Sequence, residues 1–327
     1  MGSSFSTNQF PVDGRTVLIT GASTGLGLHA AQQLAAKGAN VIIVARSPAT
    51  LQAGLEQIKK SARSPTQRFH QIEADVTTAA SCAAVIAAAT KWNDATPPDI
   101  VWCCSGSAHP SLFIDTPPAQ LQTMMDSNYF SCAYMAHATL NAWLRPSSPL
   151  PTENGPPAKE ETAASSVPPP ARHLIFTASF VALYSFAGFT PYSPSKAAIR
   201  SLADSLSQEM NLYAGAHPTF PRVRVHTVFP ATMPTQSLAD ENRVKTDVTK
   251  MLEEGDQVLS PDECARRAIA GLERGEELVA TSGIIRLVMT SVLGGAVRGE
   301  LWDMDRKVWR WGREYGDSGM MTGKKRE

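Results

Sequence analysis

Thr16–Gly27 reads TVLITGASTGLG, a β-branched apolar run that breaks into glycines spaced G-x-x-x-G-x-G. Val17, Leu18 and Ile19 predict a buried strand, and the alanine-rich stretch from about Leu26 predicts the helix after it. Gly21 permits the sharp turn between them. Gly25 and Gly27 are expected to leave room for a pyrophosphate at the helix N-terminus, where free N–H groups favour anions. Elsewhere such glycines would mark only a loop. Between a V-L-I-T strand and a helix they predict a dinucleotide site.

Outward from that turn, the next strand, Asn40–Ala45 (NVIIVA), ends in Arg46, nineteen residues past Gly27. An NAD enzyme places an acid near this point against the ribose 2′-hydroxyl. An arginine instead offers a charged fork to a 2′-phosphate, which favours NADPH. The alternative is an ordinary solvated arginine. Asp75, in HQIEADVT, fits either an acid beside the adenine or a helix N-cap.

A second element lies far downstream. A strand over His173–Thr177 (HLIFT) leads to Ser179, and SFVALYSFAGFTPYSPSK then carries Tyr192 to the head of a helix. Pro194 suits the first helical turn, where a missing N–H costs nothing. Tyr192 and Lys196 stand at i and i+4, so both project from one face. A free phenol titrates near ~10, and acid–base work near neutrality is served by lowering that by about 3 units. The Lys196 ammonium, with the charge of an oxidised nicotinamide, is expected to do so. Ser179 would hold a carbonyl oxygen, Tyr192 would give it a proton, and Lys196 would also hold the nicotinamide ribose. Each residue alone is commonplace. Their joint spacing with the glycine turn predicts a nicotinamide-dependent reductase.

At 327 residues and 43% apolar, the chain can bury one full core. Lysine plus arginine and aspartate plus glutamate both total 30, so no global field argues for nucleic acid. Alternating apolar runs and helical segments predict a single Rossmann-type α/β domain, a doubly wound parallel sheet over residues 12–280 behind a flexible leader, 1–11. Cysteines 82, 103, 104, 132 and 264 show no metal spacing and read as small core residues of a reducing compartment. No secretory signal precedes the first strand. Residues 146–170 hold eight prolines among Ser, Glu, Lys and Thr, a composition that predicts a disordered insertion. It is either a tolerated excursion or a regulatory loop.

These residues resemble the short-chain dehydrogenase/reductase family, and the resemblance runs from Val12 to Thr235 in the family's order of motifs. It implies that Asn128, in MMDSNYF, is a fourth catalytic residue beside Ser179, Tyr192 and Lys196, bridging Lys196 to solvent through water. The implied cofactor contacts are Gly21, Ser23, Thr24, Gly25, Leu26, Gly27, Arg46, Ser47, Asp75, Val76, Ser105, Tyr192, Lys196, Pro230, Met233 and Thr235, with no metal. VFPATMPT (228–235) resembles the segment P-G-x-x-x-T that closes over the nicotinamide, with Ala231 in place of glycine. WCCSG (102–106) stands where N-N-A-G is usual, so Cys103 and Cys104 replace both asparagines. Three stretches are similar to the branch that reduces long-chain 3-ketosphingoid bases: VIIVARSPATLQ, GFTPYSPSKAAIRSLADSLSQEM, and SLADENRVKTDVTKML with its E-N-x-x-K. That likeness implies reduction of 3-ketodihydrosphingosine to dihydrosphingosine by NADPH, and a homodimer formed through the helices carrying Asn128 and Tyr192. The alternatives are reduction of a steroid, retinoid or fatty acyl ketone, or a nucleotide-binding scaffold or redox sensor without turnover.

The C-terminal extension, residues 281–327, is where a membrane enters the reading. GIIRLVMTSVLGGAV (283–297) is apolar except for Arg286 but short for a span of about 20 residues. Trp302, Trp309 and Trp311 follow among Arg306, Lys307 and Arg310, a mixture that suits a headgroup interface. The alternative is a helical cover for the substrate pocket or a dimer contact. Lys324 and Lys325 resemble a dilysine signal for the endoplasmic-reticulum membrane with the tail in the cytosol; a solubilising tail fits too. Met1-Gly2 with Ser6 satisfies the N-myristoylation pattern, or is simply a leader.

Overall fold

The computed structural model describes residues 8–145, 170–254 and 256–292. The 1–7 part of the leader, all of the 146–170 insertion but Pro170, and the tryptophan and dilysine segments lie outside the described residues.

Seven strands form one parallel sheet: β1 (Thr16–Thr20), β2 (Asn40–Ala45), β3 (Phe69–Glu73), β4 (Ile100–Cys103), β5 (Arg172–Thr177), β6 (Val223–Phe229) and β7 (Leu278–Ala280). Their order is β3-β2-β1-β4-β5-β6-β7, so the direction of winding reverses between β1 and β4. In open α/β sheets the crevice at that reversal, beyond the strands' carboxyl ends, is where ligands bind. The register sets Val17 beside both Val41 and Ile100, and Ile19 beside both Ile43 and Trp102.

Successive side chains of a strand face opposite sides, and here both sides are buried. Val17 and Ile19 pack with helices α1 (Gly25–Ala36) and α2 (Pro48–Lys60). Leu18 faces α3 (Ala79–Trp92) on the other side. The α4 helix (Pro118–Met124) runs through a π-turn, Met125–Phe130, into α5 (Ser131–Leu144). Next come α6 (Ser193–Ala216), α7 (Gln236–Val244), α8 (Asp247–Leu252), α9 (Pro261–Glu273) and α10 (Gly283–Val292). Local chemistry explains the helix ends. Ser47 and Ser260 accept backbone N–H groups at the starts of α2 and α9, each followed by proline in the first turn. Trp102 is fully buried at the sheet centre, its indole N–H donating to Thr177 Oγ1 at 3.0 Å.

Two boundaries differ from the sequence reading. The end of the expected flexible leader is fixed: Phe10 is buried against His173, and Gln9 N–H donates to the Glu273 carbonyl at 2.9 Å. The helix of the 283–297 segment is described to Val292, with Ile285 buried in the core and Ile284 and Leu287 exposed. Among the described residues no helix is long and apolar enough to cross a membrane.

Candidate active site

A cavity of about 880 Å³ opens at the reversal point. It is lined by Gly21, Ser23, Thr24, Gly25, Leu26 and Gly27 at one end and by Ser179, Tyr192 and Lys196 at the other. Arg46, Ser47, Asp75, Val76, Ser105, Pro230, Met233 and Thr235 complete the expected set. The fold thus brings together two elements far apart in sequence.

The turn after β1 is tight for a steric reason. Gly21 has φ +67°, and a Cβ there would stand 2.8 Å from the backbone of Ser105. Gly27 differs from expectation: a Cβ on it would meet the Gly21 carbonyl oxygen at 2.5 Å, so its missing side chain serves the packing of α1 against its own turn. Gly25 lies under the Thr235 methyl, 3.7 Å from where its Cβ would be. The 230–235 loop is pinned there by Thr281, whose hydroxyl accepts from Ala231 N–H at 2.8 Å. Ala231 is absent from the positive-φ residues, so it adopts its place without the freedom of glycine.

At the end of β2, Arg46 lines the cavity beside Ser47 and Thr50. Ser47 also caps α2, accepting from Thr50 N–H at 3.4 Å. Asp75 is not a helix N-cap: that position belongs to Thr78, while Asp75 Oδ1 accepts from Thr77 N–H at 3.0 Å. Cys103 and Cys104 bring different bonding from asparagine. The Thr20 hydroxyl accepts from the N–H groups of Cys104 and Ser105, at 3.1 and 3.2 Å, and orders this strand end from the backbone. Burial pushes the Cys104 thiol up to about 11.

Tyr192 stands at the entry of α6, with Pro194 in the first turn as expected. It lines the cavity together with Ser179, whose hydroxyl accepts from Val181 N–H at 3.4 Å. Lys196 is buried, its ammonium donating to the Thr177 carbonyl at 2.9 Å and lying 5.7 Å from the Tyr192 ring centroid. The expected lowering of the phenol does not follow from these groups. Burial pushes Tyr192 well above the ordinary phenol range, Glu241 adds to the rise, and Ser179 opposes it. Lys196 is itself pushed down by burial, which disfavours its charged form.

Asn128 does not line the cavity. It is fully buried in the π-turn, where Oδ1 accepts from Ser107 N–H at 3.1 Å. Its amide donates to Ser107 O at 2.9 Å and to Ser195 Oγ at 3.1 Å. A Cβ on Gly106 would come within 2.5 Å of Asn128 Oδ1 and 3.3 Å of Lys196 Nζ, so that glycine lets the two side chains approach. In this arrangement Asn128 positions the Ser107 loop against α6. An extra residue per turn, common at functional sites, leaves no mark in MMDSNYF.

Sequence reasoning missed Thr20, which orders the end of β4, and Thr177, Glu241 and Glu253, which line the cavity. The E-N-x-x-K pattern marked Glu241 and Lys245 without giving them a role.

Comparisons with known proteins agree with this geometry. The sequence pattern of the short chain dehydrogenase family matches residues 15–149 and 171–246. The chain is similar to the 3-ketodihydrosphingosine reductase ksrA of Aspergillus fumigatus, 42% identical over 95% of this chain and 88% of that protein. It is 43% identical to the 3-ketodihydrosphingosine reductase gsl-3 of Neurospora crassa, over 93% of this chain and 79% of that one. Among solved structures, it shares its fold with a short-chain dehydrogenase from Sphingobium yanoikuyae in complex with NADPH. The TM-score is 0.65 at 22% identity, covering 88% of this chain and 96% of the other.

Proposed function

Because this chain belongs to the short-chain dehydrogenase family, we propose that it uses NADPH to reduce the 3-keto group of a long-chain sphingoid base, converting 3-ketodihydrosphingosine to dihydrosphingosine. The observation that carries this is the meeting of the Ser179–Tyr192 pair with Lys196 at one end of a cavity whose other end is the glycine turn. The substrate class is supported by the names of the relatives, 42% and 43% identical over most of the chain.

The residues fit a dinucleotide. Gly21 and Gly25 line the cavity without side chains, which leaves the turn open to a pyrophosphate, and the 230–235 loop closes over Gly25. Arg46, Ser47 and Thr50 present a cation and two hydroxyls at the end of β2 for a 2′-phosphate, and Lys196 would hold the ribose. Once bound, the nicotinamide supplies the hydride. The chain's own residues do the rest. Ser179 and Tyr192 line the same end of the cavity, where a ketone oxygen would accept from their hydroxyls. A phenol held well above its ordinary range keeps its proton at neutral pH and gives it up only to the strongly basic alkoxide that develops on reduction. Burial of Lys196 excludes the water that would weaken these interactions.

The test is turnover by the purified protein on 3-ketodihydrosphingosine, a steroid, a retinoid and a fatty acyl ketone, with NADPH or NADH. Highest kcat/KM for the sphingoid ketone with NADPH supports the reading. A steroid or retinoid preferred by an order of magnitude overturns the substrate, and absence of single-turnover NADPH oxidation would leave a scaffold or sensor. The same reading includes residence at the cytosolic face of the endoplasmic-reticulum membrane, supported by the apolar α10 and the terminal lysines. It also includes a homodimer across α5 and α6, which sedimentation in solution tests.

A further inference from the structure

Next to Tyr192 lies a charged group that the reduction of a simple ketone does not need. The segment carrying α7 and α8 folds over the Phe186–Tyr192 loop. Thr249, fully buried on α8, donates to the Ala187 carbonyl at 3.4 Å, and a Cβ on Gly188 would overlap the Thr249 hydroxyl. This close packing brings the Lys245 ammonium, almost wholly enclosed, to 5.7 Å from the Phe189 ring, which in turn is 6.0 Å from the Tyr192 ring. Lys245 lies 2.7 Å from Glu253 and 3.4 Å from Glu241. Two carboxylates therefore share one ammonium, and the shorter contact is to Glu253.

Glu241 is left as the less fully neutralised of the two, and it lines the cavity. It shares that cavity with Tyr192, whose phenol its charge pushes up, and burial pushes its own carboxyl up, a condition that a nearby cation would relieve. The other acids on the cavity wall are engaged elsewhere: Asp75 by Thr77 N–H and Asp256 by the Thr232 hydroxyl at 3.1 Å.

We propose that Glu241 determines specificity by receiving the 2-ammonium group of the substrate, selecting a 2-amino-3-ketone over a ketone without the amine. This rests on the sphingoid reading above and deepens it. Tyr192 and Ser179 would fix where the ketone oxygen sits, and in a 2-amino-3-ketone the nitrogen is on the neighbouring carbon, three bonds from that oxygen. It must therefore enter the region where Glu241 acts on Tyr192. A second cation brought near the buried Lys196 also requires a counter-charge, since an uncompensated buried charge is strongly unfavourable. Glu241 supplies it, with Lys245 holding the carboxylate in place.

The experiment compares kcat/KM for long-chain 3-ketodihydrosphingosine with that for the N-acetylated ketone and for the 3-ketone of equal length lacking nitrogen. The wild type should prefer the free amine. Glu241→Gln should lower that preference by about 10- to 100-fold, chiefly through KM, as expected for one lost charged hydrogen bond. Glu241→Asp, which keeps the charge on a shorter stem, should retain part of the preference and serves if the glutamine variant does not fold. Calorimetric binding of the product amine should weaken in parallel. A preference kept within twofold in both variants, or equal losses on all three ketones, overturns the assignment of Glu241 while leaving the sphingoid reading intact. A wild type that reduces none of the three overturns the substrate reading and this inference with it.

Discussion

In the proposed reduction Tyr192 meets the ketone with its phenol pushed up by burial and by Glu241, and Ser179 opposes that rise. Tyr192→Phe removes the proposed proton donor and leaves the glycine-turn end of the cavity untouched. It should cut turnover by at least ~10²-fold with NADPH binding nearly intact, read by single-turnover absorbance and by fluorescence titration. Near-normal turnover would sink the assignment of the acid. Arg46→Asp replaces a cation facing the 2′-phosphate position by an anion. It should lower the preference for NADPH over NADH by at least about tenfold, measured as a ratio of kcat/KM values. A wild type indifferent to the two cofactors would remove Arg46 from that role. At this scale the sequence was legible where a residue type is demanded by geometry. Gly21 is one such position, and Tyr192 with Lys196 on one helical turn is another. It was illegible where the role depends on a distant segment: Gly27 faces its own turn, Asn128 braces Ser107, and Glu241 reaches Tyr192 only because α7 folds back.

Strands and helices carry a separate titration. His173 on β5 and His226 on β6 are buried side by side, with Nδ1 of His173 3.0 Å from Nε2 of His226. His226 Nδ1 donates to the Glu276 carbonyl at 2.8 Å, so its Nε2 accepts and His173 Nδ1 carries the donated proton. Burial, with the nearby Arg224 adding to it, pushes His173 down to about 2 and His226 to about 4. The unfolded chain takes up protons below about pH 6.5 that the folded chain refuses. Stability from this pair is therefore full above that pH and is lost as pH falls towards 4. Each refused proton contributes a slope of up to about 1.4 kcal/mol per pH unit. Denaturant unfolding at pH 7, 6, 5 and 4.5 should show the decline, and His226→Gln should flatten it by about one proton; an unchanged slope would assign the decline to other groups. Element positions were the most legible level: β2 was read as Asn40–Ala45 and is so observed, and β5 gained only Arg172. Strand periodicity survives because both sheet faces are buried. The proline-rich stretch falls between α5 and β5. What its prolines could not show is that its flanks are tied together, Arg172 donating to the Trp143 carbonyl at 3.1 Å at the base of the sheet, away from the cavity.

For the whole molecule, the sheet order follows from alternating strands and helices, but the relation of the cavity to the outer surface does not follow from any local pattern. Ile284 lines the cavity and is 52% exposed, and Leu287, one turn further along α10, is 62% exposed. Val244 and Leu252, on the segment that carries Glu241, are also exposed. A sphingoid base keeps its alkyl chain in the bilayer at about 0.8 kcal/mol per buried CH₂, so drawing the whole chain into water is very costly. An enzyme resting on the membrane needs to lift only the amino-ketone head towards Tyr192, with an apolar surface accompanying the chain. α10 joins cavity and surface in the way this requires. Leu287→Asp places a charge on that surface without entering the core, so folding and the Ser179–Tyr192–Lys196 site should be preserved. Flotation with phosphatidylcholine vesicles should show weaker binding, and activity on the long-chain ketone presented in those vesicles should fall severalfold. Activity on a short soluble ketone should persist, because nothing it touches has changed. Equal losses on both ketones would mark Leu287 as structural, and unchanged flotation would remove α10 as the membrane contact.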